Sequence, residues 1–292
     1  MPLTLLQIVQ DAAVLTGLDK PSSVVSSTHP TAVKALAMLH VEGANLRRDH
    51  SWDKLKRLCT ITLVDGQQTY ALPSDFERHV PSTHWDNRFG LEVMGPVNSA
   101  DWQYVNNAQF VYTSSKVMRC WTWNNNQIYL SSTPDSTDAG STITFEYQSL
   151  TWVRYRTWTA STAYSSGAKV WYNGNRYTWV SGTTSGSTAP THTVGNASDG
   201  GVTWAYNSTE LQERFEFDTD VPLIDDTALQ LSLQAAIYED LGQGEQAQIA
   251  RGRAEKLASQ TAKDLQGPTR FGLTDLGDSG GVFVSNNSVR LE

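Results

Sequence analysis

The chain has 292 residues, of which 39% are hydrophobic, and its formal net charge is −8. This composition predicts a globular protein rather than a disordered chain. No apolar run approaches the roughly 18 residues of a membrane-spanning helix, and no signal-peptide pattern is visible, so we expect folding in the cytoplasm. The acidic balance argues against tight duplex-DNA binding, and Cys59 and Cys120 show no metal-site or disulfide spacing.

Two amphipathic helices are predicted at the start of the chain. The first covers 3–16 and stops at Gly17, and its apolar face carries Leu5, Ile8, Ala12 and Leu15. The second begins at Pro30 with Thr28 as its cap, and its apolar face carries Ala32, Leu36, Leu39, Gly43 and Leu46. Glycine weakens a helix, so Gly43 indicates the close approach of a neighbouring helix.

The middle of the chain changes from helical to alternating periodicity. Residues 60–64 and 67–72 are predicted to pair as a hairpin around an Asp65-Gly66 turn. Further strands are expected at 127–130 and 142–147. These short strands, separated by turn residues, predict a small antiparallel sheet rather than a βαβ array.

Two more helices are predicted after residue 222. The third begins near Asp225-Asp226 and ends at the Gly242 and Gly244 breakers. The fourth ends at Gly267, and its mainly small-residue stripe is Ala247, Ala250, Ala254, Leu257 and Thr261. We therefore expect an α+β fold, in which two N-terminal and two C-terminal helices form a four-helix bundle with a projecting small antiparallel β-sheet.

A segment with a different composition interrupts this pattern, and we call 157–207 the aromatic segment. It holds four tryptophans and four tyrosines, and its only charged residues are Lys169, Arg176 and Asp199. Asn173-Gly174-Asn175 predicts a tight hairpin between two aromatic strands. The predicted division is thus a core of 1–156 and 208–265, a small all-β insertion at 157–207, and an extended tail at 266–292.

Several stretches carry a resemblance to a known family. Trp52 is followed by a strand–turn–strand over 60–76 that ends Leu-Pro-Ser-Asp-Phe. The region from Gly95-Pro96 to Asp101-Trp102, and then 217–229, continue the likeness in the same order. This pattern resembles the head–tail adaptors of short-tailed bacteriophages, the group that includes tail tubular protein A.

The resemblance implies a virion structural protein and not an enzyme. Such adaptors form a ring, usually a dodecamer, at the neck between the capsid portal and the tail nozzle or tube. DNA passes through the ring during ejection without sequence-specific binding. The acidic charge fits a channel that repels DNA. Ring contacts would use the outward helix faces, which carry a charged cluster. The alternative is that this cluster is simply a solvated face. Its residues are Arg47, Arg48, Asp49, Lys54, Lys56 and Arg57.

The aromatic segment resembles a second family, the chitin-binding-type carbohydrate-binding modules of bacterial glycosidases. The likeness lies in its order of Trp, Tyr, Gly and Pro positions, although Ala168 stands where those modules often have Asp. The candidate sugar platform is Trp158, Tyr177 and Trp179, and the alternative is that these rings form a core. A glycan-binding tail or host-recognition protein is therefore the second functional hypothesis.

The C-terminal tail offers a candidate portal-docking segment. Its short β-compatible pieces have no evident partner in the chain, and the residues concerned are Val282, Phe283, Val284, Val289 and Leu291. Docking by strand addition is one interpretation, and terminal disorder is the other.

Signals for enzymatic chemistry are weak throughout the sequence. Gly277-Asp278-Ser279-Gly280-Gly281 resembles a serine-protease nucleophile region, but no histidine stands in the matching context and few residues follow. The histidines lack metal-ligand spacing, and no phosphate-binding glycine loop is present. We expect no catalytic residues, no metal and no cofactor.

Overall fold

The computed structural model describes residues 2–107, 121–208, 212–264, 283–285 and 288–290. Its helices are α1 (Leu5–Leu15), α2 (Pro30–Asp49), α3 (Ser99–Asn107), α4 (Asp226–Asp240) and α5 (Gly244–Asp264). The strands before the aromatic segment are β1 (Lys56–Thr62), β2 (Thr69–Ala71), β3 (Phe76–His79), β4 (Trp85–Asp86), β5 (Leu91–Glu92), β6 (Trp121–Asn124), β7 (Gln127–Leu130), β8 (Thr142–Ser149) and β9 (Val153–Arg154). The later strands are β10 (Lys169–Tyr172), β11 (Asn175–Gly182), β12 (Asn196–Ser198), β13 (Val202–Ser208), β14 (Val221–Pro222), β15 (Phe283–Ser285) and β16 (Ser288–Arg290).

The four long helices lie where the sequence predicted them, and α4 packs against the other three. Thr4 and Gln7 form a capping box at the start of α1, and Asp225 caps α4 by accepting from the Ala228 N–H. Two details differ from expectation. The residue before α2 is His29, which makes no side-chain cap bond, and Leu15 is 54% exposed.

The helical core also contains residues from the segments that flank the aromatic segment. Trp152, Val153 and Phe215 are buried in it beside side chains from α1, α2 and α4. A Cβ at Gly43 would lie less than 3.0 Å from ring carbons of Trp152. The close approach predicted at Gly43 is therefore real, but the partner is a tryptophan ring and not a neighbouring helix.

The predicted hairpin of 60–64 with 67–72 is wrong. Strand β1 pairs along its whole length with β8, whereas β2 pairs with β7 in a different sheet. The turn at Asp65-Gly66 forms, but the Gly66 N–H donates to the Pro134 carbonyl and the chain crosses to the second sheet. The sequence showed that two strands flank a turn, but not which strands are their partners.

Two sheets face each other across one apolar core. Strand β8 lies at the centre of the first sheet, with β1 on one side and β3 and β4 on the other, and β4 also pairs with β5. The second sheet has the order β2-β7-β6. Cys59, Ile61 and Leu63 point inward from β1 and its extension, in the alternation expected of a half-buried strand. The sheets thus form a unit with its own core.

The fold prediction is therefore wrong as a whole. The described residues are 31% helical and 27% strand, which does not fit a four-helix bundle with a small sheet and a small insertion. A further helix, α3, lies between β5 and β6, and the aromatic segment contributes a sheet of order β10-β11-β13-β12. Most residues of the predicted helical stripes are buried, but the amount of β structure was underestimated because short strands leave weak sequence signals.

Candidate interaction surfaces

The aromatic segment is built on the predicted hairpin. Strands β10 and β11 pair from Lys169↔Thr178 to Tyr172↔Asn175, so Asn173 and Gly174 form a two-residue loop. Both loop residues have positive φ, 45° and 83°. This is the requirement that Asn-Gly meets in tight hairpins, and the local prediction is confirmed.

The three candidate sugar-binding rings do not share an open face. Tyr177 is completely buried, Trp158 is 8% exposed, and both belong to the apolar core of the segment. Trp179 is partly buried against this core, and its Nε1 donates to the Gly182 carbonyl at 3.0 Å. Burial favours the core interpretation for Trp158 and Tyr177. Sugar contact through Trp179 stays a prediction.

The centre of this small core is a buried carboxylate that the sequence reasoning did not single out. Asp199 Oδ2 accepts from Trp158 Nε1 (3.0 Å) and Trp204 Nε1 (2.8 Å). Its Oδ1 accepts backbone N–H groups of Gly186, Gly201 and Val202 at 3.0, 3.0 and 2.7 Å. The available signal was composition, because Asp199 is the one acidic residue in a segment of about fifty.

Hydrogen bonding decides the charge state of Asp199. Burial by itself raises its pKa, but the bonds from Trp204 and the backbone N–H groups outweigh that effect and lower the pKa to about 2. The side chain is therefore ionised at neutral pH. It holds two tryptophans and two chain segments together without a disulfide.

Both ends of the aromatic segment lead to one short ladder. Strand β9 precedes the segment and pairs antiparallel with β14, which follows it, through Val221↔Arg154 and Pro222↔Val153. Lys169 Nζ lies 2.7 Å from Glu216 Oε2, and Tyr155 donates to the same oxygen at 3.1 Å. The two ends of the segment therefore lie close together, as an insertion requires. Polar contacts attach the segment to the rest of the chain.

The end of α2 is joined to the first sheet by guanidinium and amide groups. Arg78 donates to the carbonyls of Arg48 (2.6 Å) and His50 (2.5 Å), and the Gln148 amide donates to the Arg47 carbonyl at 2.7 Å. These bonds satisfy carbonyls that the helix end leaves free. No local sequence signal marks Arg78 or Gln148, because their role depends on which strands are adjacent.

The predicted charged cluster lies at this junction and is partly internal. Arg47 is 6% exposed, donates to the Leu150 carbonyl at 2.6 Å and pairs with Glu77 at 3.0 Å. Arg57 lies 3.5 Å from Asp75. These two arginines serve contacts within the chain, so they do not form a free charged surface.

Exposed apolar side chains mark two other surfaces. On α2, Val33 is 50% and Val41 is 59% exposed, and exposed Ala37 lies between them at helical spacing. On the outer face of the first sheet, Leu58 is 69% and Trp85 is 44% exposed. Contiguous exposed apolar residues are typical of protein contact surfaces.

The tail prediction is changed in one respect. Strands β15 and β16 pair with each other through Phe283↔Arg290, Val284↔Val289 and Ser285↔Ser288, so these pieces do have a partner within the chain. Val282 and Leu291 lie outside the described residues, as does the protease-like stretch 277–281.

In the described part of the chain, none of the helices has the length and apolar character needed to cross a membrane. No group of three or more His, Cys, Asp or Glu side chains in these ranges is arranged to hold a metal ion.

Comparison with known proteins supports the adaptor resemblance. The family model described as SU10 adaptor protein matches residues 3–272. No curated protein shows significant similarity to the chain. The family implies a structural, non-enzymatic component of the phage virion that binds portal and tail components. The finer likenesses, to tail tubular protein A and to chitin-binding modules, remain predictions. Since the match covers nearly the whole chain, this protein belongs to the SU10 adaptor protein family.

Proposed function

We propose that this adaptor forms a ring at the virion neck, with twelve copies as the sequence resemblance implies. The ring joins the portal to the tail nozzle or tube, and DNA passes through its channel during ejection. The observation that carries the proposal is the exposed apolar stripe of α2. Val33, Ala37 and Val41 repeat at i, i+4 and i+8 on a helix whose other face is already buried in the core.

A second copy of the chain is the partner that best fits this stripe in a ring. In a ring of more than two copies, each subunit contacts its two neighbours through two different surfaces. The exposed stripe of α2 would therefore be covered by a different surface of the next copy. The outer face of the first sheet, with Leu58 and Trp85, is our candidate for contact with portal or tail components.

The electrostatics and the α2 junction agree with this role. A net charge of −8 disfavours retention of DNA in the channel. The Arg78 and Gln148 bonds fix the two-sheet unit to the end of α2, so a load applied to the sheets is transmitted to the helices. A neck component must hold both of its partners while DNA leaves the capsid.

The test is the mass of the full chain by light scattering, alone and after mixing with its portal. We expect an assembly whose mass is a multiple of the 32.2 kDa chain, and a ring by electron microscopy. The double variant Val33→Glu with Val41→Glu should lose the ring. The matched control, Val194→Glu on the aromatic segment, should keep it, because Val194 is 79% exposed and does not belong to α2. A chain that stays monomeric with portal present would refute the proposal.

Two truncations test the parts of the proposed assembly. Removal of the tail after Pro268 should weaken portal docking, and unchanged docking would exclude the tail as the docking segment. Deletion of 158–206 should leave the ring intact if the aromatic segment is peripheral. Loss of the ring on that deletion would show that the segment is structural.

The second functional hypothesis is glycan recognition by the aromatic segment. The burial of Trp158 and Tyr177 leaves the original platform with one partly exposed ring, Trp179. A glycan-binding role would therefore use Trp179 or a different site on or beside the segment.

A further inference from the structure

A cleft separates the aromatic segment from the loops of the helical part. Its volume is about 490 Å³, within the range of roughly 300–1,000 Å³ that is usual for small-molecule sites. One wall is 165–169 at the start of β10, and the other is 216–219 together with Val25 and Ser26. Arg156, on the chain that enters the segment, also lines the cleft.

The Arg156 guanidinium is held in place with its hydrogen-bond donors free. Its Cζ lies 4.3 Å from the centre of the Tyr164 ring, and this ring is 5% exposed and fixed by the Thr159 N–H, which donates to its hydroxyl. Among the described residues the guanidinium has no hydrogen-bond acceptor and no ion-pair partner. A guanidinium packed on a ring face keeps its N–H groups available, so those of Arg156 can donate to ligand oxygens.

The remaining polar groups supply both donors and acceptors. Ser165, Ser166 and Thr219 are exposed in the cleft, and each hydroxyl can donate and accept. Lys169 is paired with Glu216. The Asp218 carboxylate accepts the N–H groups of Val24 and Val25. The lining therefore combines one guanidinium that has unpaired N–H groups with several hydroxyls.

The charges in the cleft indicate the class of ligand. The charges of Arg156 and Lys169 are balanced by those of Glu216 and Asp218, so the cleft exerts no net electrostatic attraction on a phosphate group or a polycation. Val25, Ala168 and Phe217 add apolar surface to the lining, but a wholly apolar ligand would leave Arg156 and the hydroxyls without hydrogen bonds. A neutral ligand with many hydroxyls satisfies both conditions.

We infer that this cleft binds a neutral saccharide, with the Arg156 N–H groups donating to its oxygens and the Ser165, Ser166 and Thr219 hydroxyls completing the contacts. The inference deepens the glycan-recognition hypothesis and does not depend on ring formation. It moves the sugar site from the aromatic platform to the boundary between the segment and the helical part.

Calorimetric titration of the full chain tests the inference with defined probes. The neutral probes are chitotetraose, cellotetraose and maltotetraose, and tetragalacturonate is the acidic comparison. We expect at least one neutral probe to bind. Ser166→Trp should weaken that binding at least tenfold, because the indole fills the cleft from an exposed position. Arg156→Lys should have an effect of the same size, because it removes the planar guanidinium.

Two further variants separate the cleft from other sugar sites. Ser187→Trp makes the same change at an exposed position of the segment that does not line the cleft, and it should bind as the wild type does. Trp179→Phe should also leave binding unchanged, whereas a loss there with full binding by Ser166→Trp would assign the site to the platform. Binding of none of the neutral probes, or of tetragalacturonate alone, would overturn the inference. Light scattering on the same samples tests ring formation separately.

Discussion

The buried Asp199 carboxylate should determine whether the aromatic segment is folded. In Asp199→Asn, the amide oxygen can still accept from the backbone, but the NH₂ group then faces the Trp158 and Trp204 indole N–H groups. Two buried donors lose their acceptor, at a cost of about 1–3 kcal/mol each. A unit of this size has a stability of only about 5 kcal/mol, so the substitution should remove most of it.

The pH dependence of stability gives an independent value for the contribution of Asp199. Its pKa of about 2 lies below the ordinary aspartate value of about 3.9, which corresponds to about 2.6 kcal/mol of stabilisation. Because the folded-state pKa is the lower one, this stabilisation is present above about pH 4 and is lost as the pH falls towards 2. The variant should lack that acid-dependent loss.

Hydrogen exchange read by mass spectrometry measures the effect peptide by peptide. At pH 7 we expect faster exchange in peptides covering 158–206 of Asp199→Asn, with unchanged protection in α1, α2 and α4. Asp65→Asn is the matched control, because it makes the same change at an exposed turn position. Wild-type protection of 158–206 in Asp199→Asn would refute the reasoning.

Three more predictions concern the core, a buried acid and the helix–sheet junction. Gly43→Ala should lower the melting temperature, because the clash with Trp152 outweighs a helix-propensity gain of about 1 kcal/mol; equal or higher stability in calorimetry would contradict this. Burial raises the pKa of Asp220 to about 6 against opposing hydrogen bonds, so this group makes the fold less stable as the pH rises from about 4 to 6. Asp220→Asn should remove that decline in thermal scans, and an unchanged pH profile would count against it. Arg78→Met should speed hydrogen exchange at 46–50, since the carbonyls of Arg48 and His50 at the end of α2 lose their donor; wild-type exchange there would show that the junction does not depend on Arg78.

Local features were predicted from the sequence with good success. The stripe of α1 apart from Leu15, the Pro30 start of α2 and the start of α4 near Asp225 each depend on residues within one or two helical turns. The Asn173-Gly174 loop is similar, because positive φ at two adjacent positions is a property of those residues alone. Each of these predictions needs no knowledge of distant partners.

Predictions that required partners were less successful. Strand β1 alternates correctly, but its pairing with β8 joins residues at least eighty positions apart, which alternation does not encode. The assignment of Tyr177 to a sugar platform had the same weakness, because an aromatic ring on a strand looks identical in sequence whether it faces water or a core. Arg156 escaped notice because the cleft exists only where two distant segments meet.

The adaptor resemblance, the positions of the four long helices and the distinct chemistry of the aromatic segment could all be inferred from the sequence. The distribution of the strands between sheets, the packing of Trp152 against Gly43 and the bonds from Asp199 to two tryptophans became visible in the folded chain alone. The physical reason is the range of the interactions involved. Helix periodicity, caps and turns are set by near neighbours in the chain, whereas strand pairing, burial and clefts are set by residues that only folding brings together.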